Sequence, residues 1–161
     1  EEDVWWEREL ARGGRGMNVG SGDQQLEGVW GLDRSKTGER AAGGRKFTGA
    51  TPDVTGDAQD LPLQDESLDF VAARHLFEHL IDPVGALAEW RRVVKSGGRI
   101  LVSCPDQARS HTMLIDYTHV HAYTPQSLSN LLEVMGWSVE ETQEFAVGSF
   151  GIRAKKTGVL L

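Results

Sequence analysis

The sequence predicts an α/β domain whose doubly wound, mostly parallel sheet has about seven strands. Three observations predict this fold: short apolar runs recur along the chain, two helix starts are marked by a capping residue followed by proline, and glycines punctuate the connections. Strands that are apolar on both sides are typical of a parallel sheet covered on both faces. Their alternation with helices predicts a doubly wound, Rossmann-like arrangement.

The apolar runs place the individual strands. They lie near residues 17–20, 28–33, 53–56, 68–73 and 98–104, with two more strands within 138–146 and 149–156. Only residues 23–27 separate the turn after the first strand from the approach to the second, whereas a parallel crossover usually needs about a dozen residues or more. We therefore expect a short or missing helix between strands 1 and 2.

Two helices are marked at their first residues. Asp82 precedes Pro83, and Thr124 precedes Pro125. Aspartate and threonine side chains accept hydrogen bonds from the free amides of a first helical turn, and proline is favoured at the first helical position. We therefore predict helices that begin at Pro83 and Pro125, with glycines after each helix.

Length and composition predict one domain. The chain has 161 residues, of which 39% are hydrophobic, and this leaves no room for a second core. Residues 1–14 are predicted to form a helix, with Trp5, Trp6 and Leu10 on its apolar side, that can act as a lid. Residues 15–161 then form the core.

Charge and apolar pattern exclude several classes of partner. A net charge of −7 argues against a nucleic-acid partner, because such binding depends on basic side chains that neutralise phosphates. The basic stretch at 34–46 is interpreted as a solvated loop, or as a clamp for an acidic substrate. No apolar run reaches the roughly 18 residues of a membrane span, so we expect no membrane partner and a cytoplasmic location. The single Cys104 is predicted to be a packed strand-end thiol.

A glycine turn and an acidic residue outline a nucleoside pocket. Gly20, Ser21 and Gly22 follow the first strand, and Asp33 closes the second. Backbone amides in such a turn can approach a ligand, and a strand-end carboxylate can accept hydrogen bonds from ribose hydroxyls. Glycines also serve ordinary turns, and Asp33 could instead cap the turn that follows.

Further motifs follow in order, and together they carry a resemblance. They are Gly56-Asp57-Ala58, Asp60-Leu61-Pro62-Leu63, Asp65-Glu66-Ser67-Leu68-Asp69-Phe70-Val71, His75-Leu76-Phe77-Glu78-His79 and Lys95-Ser96-Gly97-Gly98-Arg99-Ile100. With the glycine turn, they resemble the class I S-adenosylmethionine-dependent methyltransferases, specifically the small methyltransferase type 11 group. The resemblance covers residues 17–136.

The resemblance implies a cofactor, S-adenosylmethionine, and a set of residues that bind it. Gly20, Ser21 and Gly22 would lie beneath its methionine and ribose, and Asp33 would bind the ribose hydroxyls. Asp57 and Ala58 would meet the adenine, and Arg74 and His75 would border the methionine part. Asp57 could instead form an Asx turn, and Arg74 could pair with a surface acid.

A polar loop after the fifth strand is the candidate acceptor site, and it contains His111, Asp116, Tyr117, His119 and His121. His119 or His121 could take a proton from an attacking hydroxyl, oriented by Asp116. The alternative is a loop held by hydrogen bonds. The same imidazole and carboxylate groups could ligate a metal, but no metal site is predicted, because the spacing matches no closed zinc pattern and there is no cysteine pair.

Glu78 and His79 are not predicted to act together. Neighbouring residues on a helix do not share a face, so direct coupling is not expected. His79 is interpreted as a structural hydrogen-bonding residue.

The predicted function is transfer of a methyl group to an oxygen of a small molecule, or of a sugar unit on a glycan. One alternative is a methyltransferase-like module that binds cofactor or a partner without turnover. Another is a nicotinamide-dependent oxidoreductase, although Gln25 stands where that fingerprint needs a third glycine. A monomer or homodimer is expected, with Phe145, Phe150 and residues 159–161 either in a dimer patch or in ordinary packing.

Overall fold

The structure is a computed structural model that describes residues 1–22, 25–34 and 51–158. Asp23, the basic stretch beyond Arg34, Gly49 and the tail at 159–161 lie outside the described residues. Among the described helices, none combines the length and apolar character that a bilayer crossing requires.

Seven strands form one sheet, as predicted. They are β1 (Gly16–Val19), β2 (Trp30–Asp33), β3 (Val54–Thr55), β4 (Leu68–Arg74), β5 (Val94–Pro105), β6 (Trp137–Glu144) and β7 (Ser149–Lys156). Their order is β3-β2-β1-β4-β5-β7-β6. The first five strands pair in parallel, and β7 runs antiparallel to both β5 and β6. The predicted doubly wound, mostly parallel fold is confirmed.

The helices begin where their capping residues predict. They are α1 (Glu2–Leu10), α2 (Pro83–Val93), a short α3 (Gln107–Ser110) and α4 (Pro125–Val134). Asp82 Oδ1 accepts from the Gly85 amide at 2.8 Å, and Thr124 forms a capping box with Ser127. These bonds satisfy amides that no helical carbonyl can reach. Between β1 and β2, the described residues 25–29 contain no helix.

One strand boundary differs from the prediction. β5 begins at Val94, directly after α2, because buried Val94 pairs with Leu68. The next pair joins Phe70 to Arg99, so the intervening residues of β5 bulge out of the ladder. Gly97 lies in this bulge with φ 74°, a conformation that favours glycine. The glycine pair therefore interrupts the strand instead of preceding it.

Two apolar layers cover the sheet. Val71 and Ala73 of β4 face the cluster that includes α2 and α4, whereas Phe70 and Ala72 face the cluster that includes α1. Alternation along a strand produces this division. Cys104 lies in the first layer, and burial raises the pKa of its thiol, as expected for a packed cysteine.

Phenylalanines predicted as candidates for a dimer patch are internal. Phe145 packs with Trp5 in the α1 layer, and Phe150 lies in the opposite layer. The ordinary-packing alternative is therefore correct for both.

A buried carboxylate ties α1 to the sheet. Glu2 accepts hydrogen bonds from Ser103 Oγ at 2.9 Å and Ser149 Oγ at 2.8 Å, and lies 3.1 Å from His75 Nε2. Burial by itself would raise the pKa of Glu2, but His75 and the two serines lower it to about 2. Burial would lower the pKa of His75, but Glu2 and Glu78 raise it to about 9.

The ion pair of Glu2 and His75 predicts that the stability of the fold depends on pH. The stabilisation that comes from Glu2 is present above pH 4.5 and is lost as the pH falls through about 2. The contribution of His75 is present below pH 6.5 and is lost as the pH rises through about 9. We expect the free energy of unfolding of the wild type to exceed that of His75→Asn by on the order of 2 kcal/mol near pH 5.5, and by much less at pH 9.5.

Urea unfolding of both proteins at these two pH values measures the difference. Asparagine suits the comparison because it tolerates the left-handed backbone of position 75, where φ is 48°. A difference in unfolding free energy between wild type and variant that stays constant from pH 5.5 to 9.5 would contradict the ion pair.

Candidate active site

The predicted site residues gather at the carboxyl edge of the sheet. β1 lies between β2 and β4, and the chain builds outward from it in both directions. Ligands of open α/β sheets bind in the crevice at such a switch point, outside the carboxyl ends of the strands. The glycine turn, Asp33 and Arg74 all lie at strand ends next to this crevice.

The glycine turn has the backbone that its residues predict. Gly20 and Gly22 have φ of 63° and 47°, in the left-handed region that glycine adopts at little cost. A Cβ on Gly20 would lie 2.5 Å from Leu76 Cδ1, so this position also lacks space for a side chain. Ser21 is buried, and its amide donates to the Leu32 carbonyl at 3.0 Å.

The turn and the strand-end acid are in direct contact. The Gly22 amide donates to Asp33 Oδ2 at 2.9 Å. The Gly56 amide donates to the Asp33 carbonyl at 3.0 Å, which brings the end of β3 to the same place. The carboxylate is therefore held beside the glycine turn.

Asp57 and Ala58 are engaged within the protein. Asp57 Oδ1 accepts from the Gln59 amide at 2.9 Å, which is the Asx-turn alternative, and Oδ2 pairs with Arg34. Burial raises the pKa of Asp57, but the Gln59 amide and Arg34 outweigh it and lower the pKa. Ala58 lies in the core, where its carbonyl accepts from the Trp90 indole at 2.7 Å. Adenine contact by Asp57 and Ala58 stays a prediction.

Arg74 and His75 contact α1. Arg74 donates to Asp3 Oδ1 at 2.5 Å and lies 3.4 Å from Glu2, so the surface-acid alternative describes its contacts. His75 reaches Glu2 with one ring nitrogen and lies 3.5 Å from Glu78 Oε1 with the other. Side chains of α1 therefore contact both residues that are predicted to border the methionine part of the cofactor.

A cavity of about 410 Å³ opens beside these contacts. Its polar wall includes Glu2, His75, Glu78, His79, Asp116 and His119. Of the predicted cofactor residues, His75 alone lines it. The cavity thus begins where the methionine end of the cofactor is predicted and extends toward the loop after β5.

Two of the three predicted catalytic residues reach this cavity. His119 Nε2 lies 3.6 Å from Asp116 Oδ2, and both residues line the wall. Thr118 donates to Asp116 through its hydroxyl at 2.6 Å and its amide at 2.9 Å, and these bonds lower the pKa of the carboxyl. His121 is not part of the wall, and its ring lies 6.1 Å from that of Tyr123.

Glu78 and His79, for which no direct coupling is predicted, line the same cavity. Both lie in a 3-10 turn, Phe77–His79, and their ligand-type atoms lie within 4.8 Å of each other and of a corresponding atom of His119. The argument from α-helical spacing fails because the turn is not α-helical and ends after one turn. His79 does make the predicted structural bonds, with Nδ1 3.1 Å from the Thr118 carbonyl.

Sequence comparison identifies the family. A family model described as a methyltransferase domain matches residues 13–102. The chain is 32% identical over 133 residues to the demethylmenaquinone methyltransferase of Mycobacterium sp. (strain KMS), covering 72% of this chain and 56% of that protein. It is 35% identical over 92 residues to the malonyl-acyl-carrier-protein O-methyltransferase of Methylococcus capsulatus, covering 53% and 34%. The chain spans between 28% and 56% of the length of the curated relatives it matches.

Solved structures show the same fold. A SAM-dependent methyltransferase of Thermotoga maritima superimposes with a TM-score of 0.74 at 23% identity, covering 96% of this chain and 88% of the other. One from Mesorhizobium loti superimposes with a TM-score of 0.71 at 16% identity, covering 96% and 97%. The family match favours a methyltransferase over the nicotinamide-dependent alternative. Because the family model spans more than half of the chain, the chain belongs to the methyltransferase domain family, with the class I fold that implies S-adenosylmethionine as cofactor.

Proposed function

We propose that the chain transfers the methyl group of S-adenosylmethionine to an oxygen of a small molecule or of a glycan unit. One observation carries this proposal: the Gly22 amide and the Asp33 carboxylate meet at 2.9 Å at the switch point of the sheet. A polar cavity adjoins that point. The protein therefore offers a nucleoside-binding edge and, next to it, space for an acceptor.

The chemistry asks mainly for positioning. A sulfonium methyl group is already activated, so the protein must hold the acceptor oxygen in line with the methyl carbon and the sulfur. In our proposal the glycine turn and Asp33 hold the nucleoside, and the cavity wall orients the acceptor. In this proposal residues 1–14 cover the boundary between the nucleoside site and the cavity, which Glu2 lines.

The wall predicts the charge of the acceptor. Three carboxylates, from Glu2, Glu78 and Asp116, outnumber the cationic His75 in the wall of a cavity of about 410 Å³, a volume suited to a small molecule. Carboxylates repel anions and accept hydrogen bonds from hydroxyl groups. A neutral hydroxyl compound therefore fits this wall better than a carboxylate or phosphate compound does.

A second candidate function is binding without turnover. Arg74 and His75, predicted to border the cofactor, are instead bonded to Asp3 and Glu2. A chain in which α1 keeps these positions would bind a nucleoside or a partner protein without transferring a methyl group. The two candidates differ in whether an acceptor is ever methylated.

The proposed role of Asp33 leads to a binding prediction. Asp33→Asn keeps an oxygen that can accept from Gly22 but removes the charge that strengthens hydrogen bonds to ribose. We expect the Kd for S-adenosylhomocysteine, measured by calorimetry, to rise about tenfold or more. The matched control is Glu27→Gln, which removes an exposed charge from the same β1–β2 connection and should leave the Kd within about twofold.

Equal Kd values for wild type and Asp33→Asn would overturn the assignment of Asp33 to the ribose. Equal weakening by both variants would show an effect of net charge alone.

The acceptor charge is tested with pairs of compounds. Neutral phenols and sugars are compared with carboxylated analogues of the same size, and methyl transfer is followed by release of S-adenosylhomocysteine. We expect kcat/KM to be about tenfold higher for the neutral member, because the wall carboxylates disfavour the anion. A higher kcat/KM for the anionic members would contradict the claim that the cavity carboxylates disfavour anionic acceptors. Normal cofactor binding with no product from any compound would favour the non-catalytic alternative.

A further inference from the structure

We propose that Glu78, His79 and His119 form a site for one divalent transition-metal ion of the Zn²⁺ type. One carboxylate oxygen and two imidazole nitrogens, one from each residue, lie within 4.8 Å of one another. The three residues come from two separate segments, the 3-10 turn after β4 and the loop after β5, and all three line the cavity. Tertiary packing therefore brings three metal-binding groups to one wall.

Two side-chain atoms of these residues are buried and have no hydrogen-bond partner among the described residues. They are Glu78 Oε2 and His119 Nδ1. Glu78 is 3% exposed, so Oε2 has lost water without gaining a hydrogen bond within the part of the chain that the structure describes. Such a group carries a large desolvation cost. A bound cation offsets that cost, because it supplies the partner that both atoms lack.

Polar contacts on the far side of each ring leave one nitrogen of each imidazole available. His79 Nδ1 faces the Thr118 carbonyl at 3.1 Å, which favours a proton on Nδ1 and a lone pair on Nε2. His119 Nε2 faces Asp116 Oδ2 at 3.6 Å, which favours a proton there and leaves the lone pair on buried Nδ1. Metal-bound histidines typically donate their other N–H to a carbonyl or carboxylate in this way.

The same residues hold the rings in place. The Thr118 hydroxyl donates to Asp116 at 2.6 Å and lies 3.0 Å from His79 Nδ1. The rings of His79 and His119 meet edge to face with centroids 4.7 Å apart. A single hydrogen-bonded unit, Asp116–Thr118, therefore orients both imidazoles.

The separations suit a small movement on binding. Ligands at about 2.0–2.2 Å from a tetrahedral Zn²⁺ lie roughly 3.3–3.6 Å apart, so ligand atoms no more than 4.8 Å apart need to move by at most about 1 Å each. Two imidazoles and one carboxylate are a typical set for zinc sites that keep a fourth position open. His75 faces the other oxygen of Glu78, Oε1, at 3.5 Å.

The open fourth position would face the cavity, and this part of the inference rests on the proposed function. An acceptor hydroxyl bound there would lose its proton to water more readily, because the metal stabilises the oxyanion. The new C–O bond would form as the C–S bond of the cofactor breaks. This assigns His119 the role of a ligand instead of the proton acceptor predicted from the sequence.

Metal titration of the full chain without cofactor tests the site separately from methyl transfer. Zn²⁺ binding is measured by calorimetry, and Co²⁺ binding by its visible absorption, which reports the coordination geometry. We expect one equivalent to bind to wild type, and affinity to fall at least about tenfold in His119→Ala and in Glu78→Gln. The control is His111→Asn, which removes an exposed histidine from the same loop and tolerates φ of 49°. It should bind like wild type.

The proposal is overturned if wild type shows no saturable binding, if both ligand variants bind like wild type, or if His111→Asn loses affinity equally. Should a ligand variant fail to fold, NMR of the wild-type imidazoles decides. Paramagnetic Co²⁺ is then expected to shift or broaden His79 and His119 signals and to spare His111. Metal binding without methyl transfer would leave the site intact and count against the proposed function alone.

Discussion

The parallel pairing of β1 with β4 is the constraint on which the site depends. Gly16, Met17 and Asn18 pair with Phe70, Val71 and Ala72, and the strand order reverses at this pair. Parallel strands end at the same edge, so the connections after both strands emerge together. The glycine turn, the strand-end acid and the cavity wall share one region because of this pairing.

Polar groups at that edge form a connected series of charges. Glu2 joins α1 to β5 and β7 through two serine hydroxyls and reaches His75 at the end of β4. His75 in turn faces Glu78, the carboxylate of the proposed metal site. Burial would disfavour each charge alone, and the opposite neighbour reverses that effect. The helix α1, the sheet edge and the cavity are therefore electrostatically linked through His75.

Local chemistry explains what could be predicted. Asp82 and Thr124 mark helix starts because a cap acts within one turn, and strand positions follow from short apolar runs. The contact of Gly22 with Asp33 follows from strand order in a doubly wound sheet. That Glu78 and His79 line one cavity did not follow from α-helical spacing, because the 3-10 turn depends on how the chain leaves β4.

By itself the sequence determined the α/β class, the glycine turn and the family motifs, since each depends on residues close together in the chain. Tertiary structure alone decided that Glu2 is buried at the sheet edge, that Arg74 pairs with Asp3, and that His119 and not His121 faces the cavity. These contacts join residues far apart in the chain. Their geometry depends on how α1 and the loop after β5 pack on the sheet, which no local pattern records.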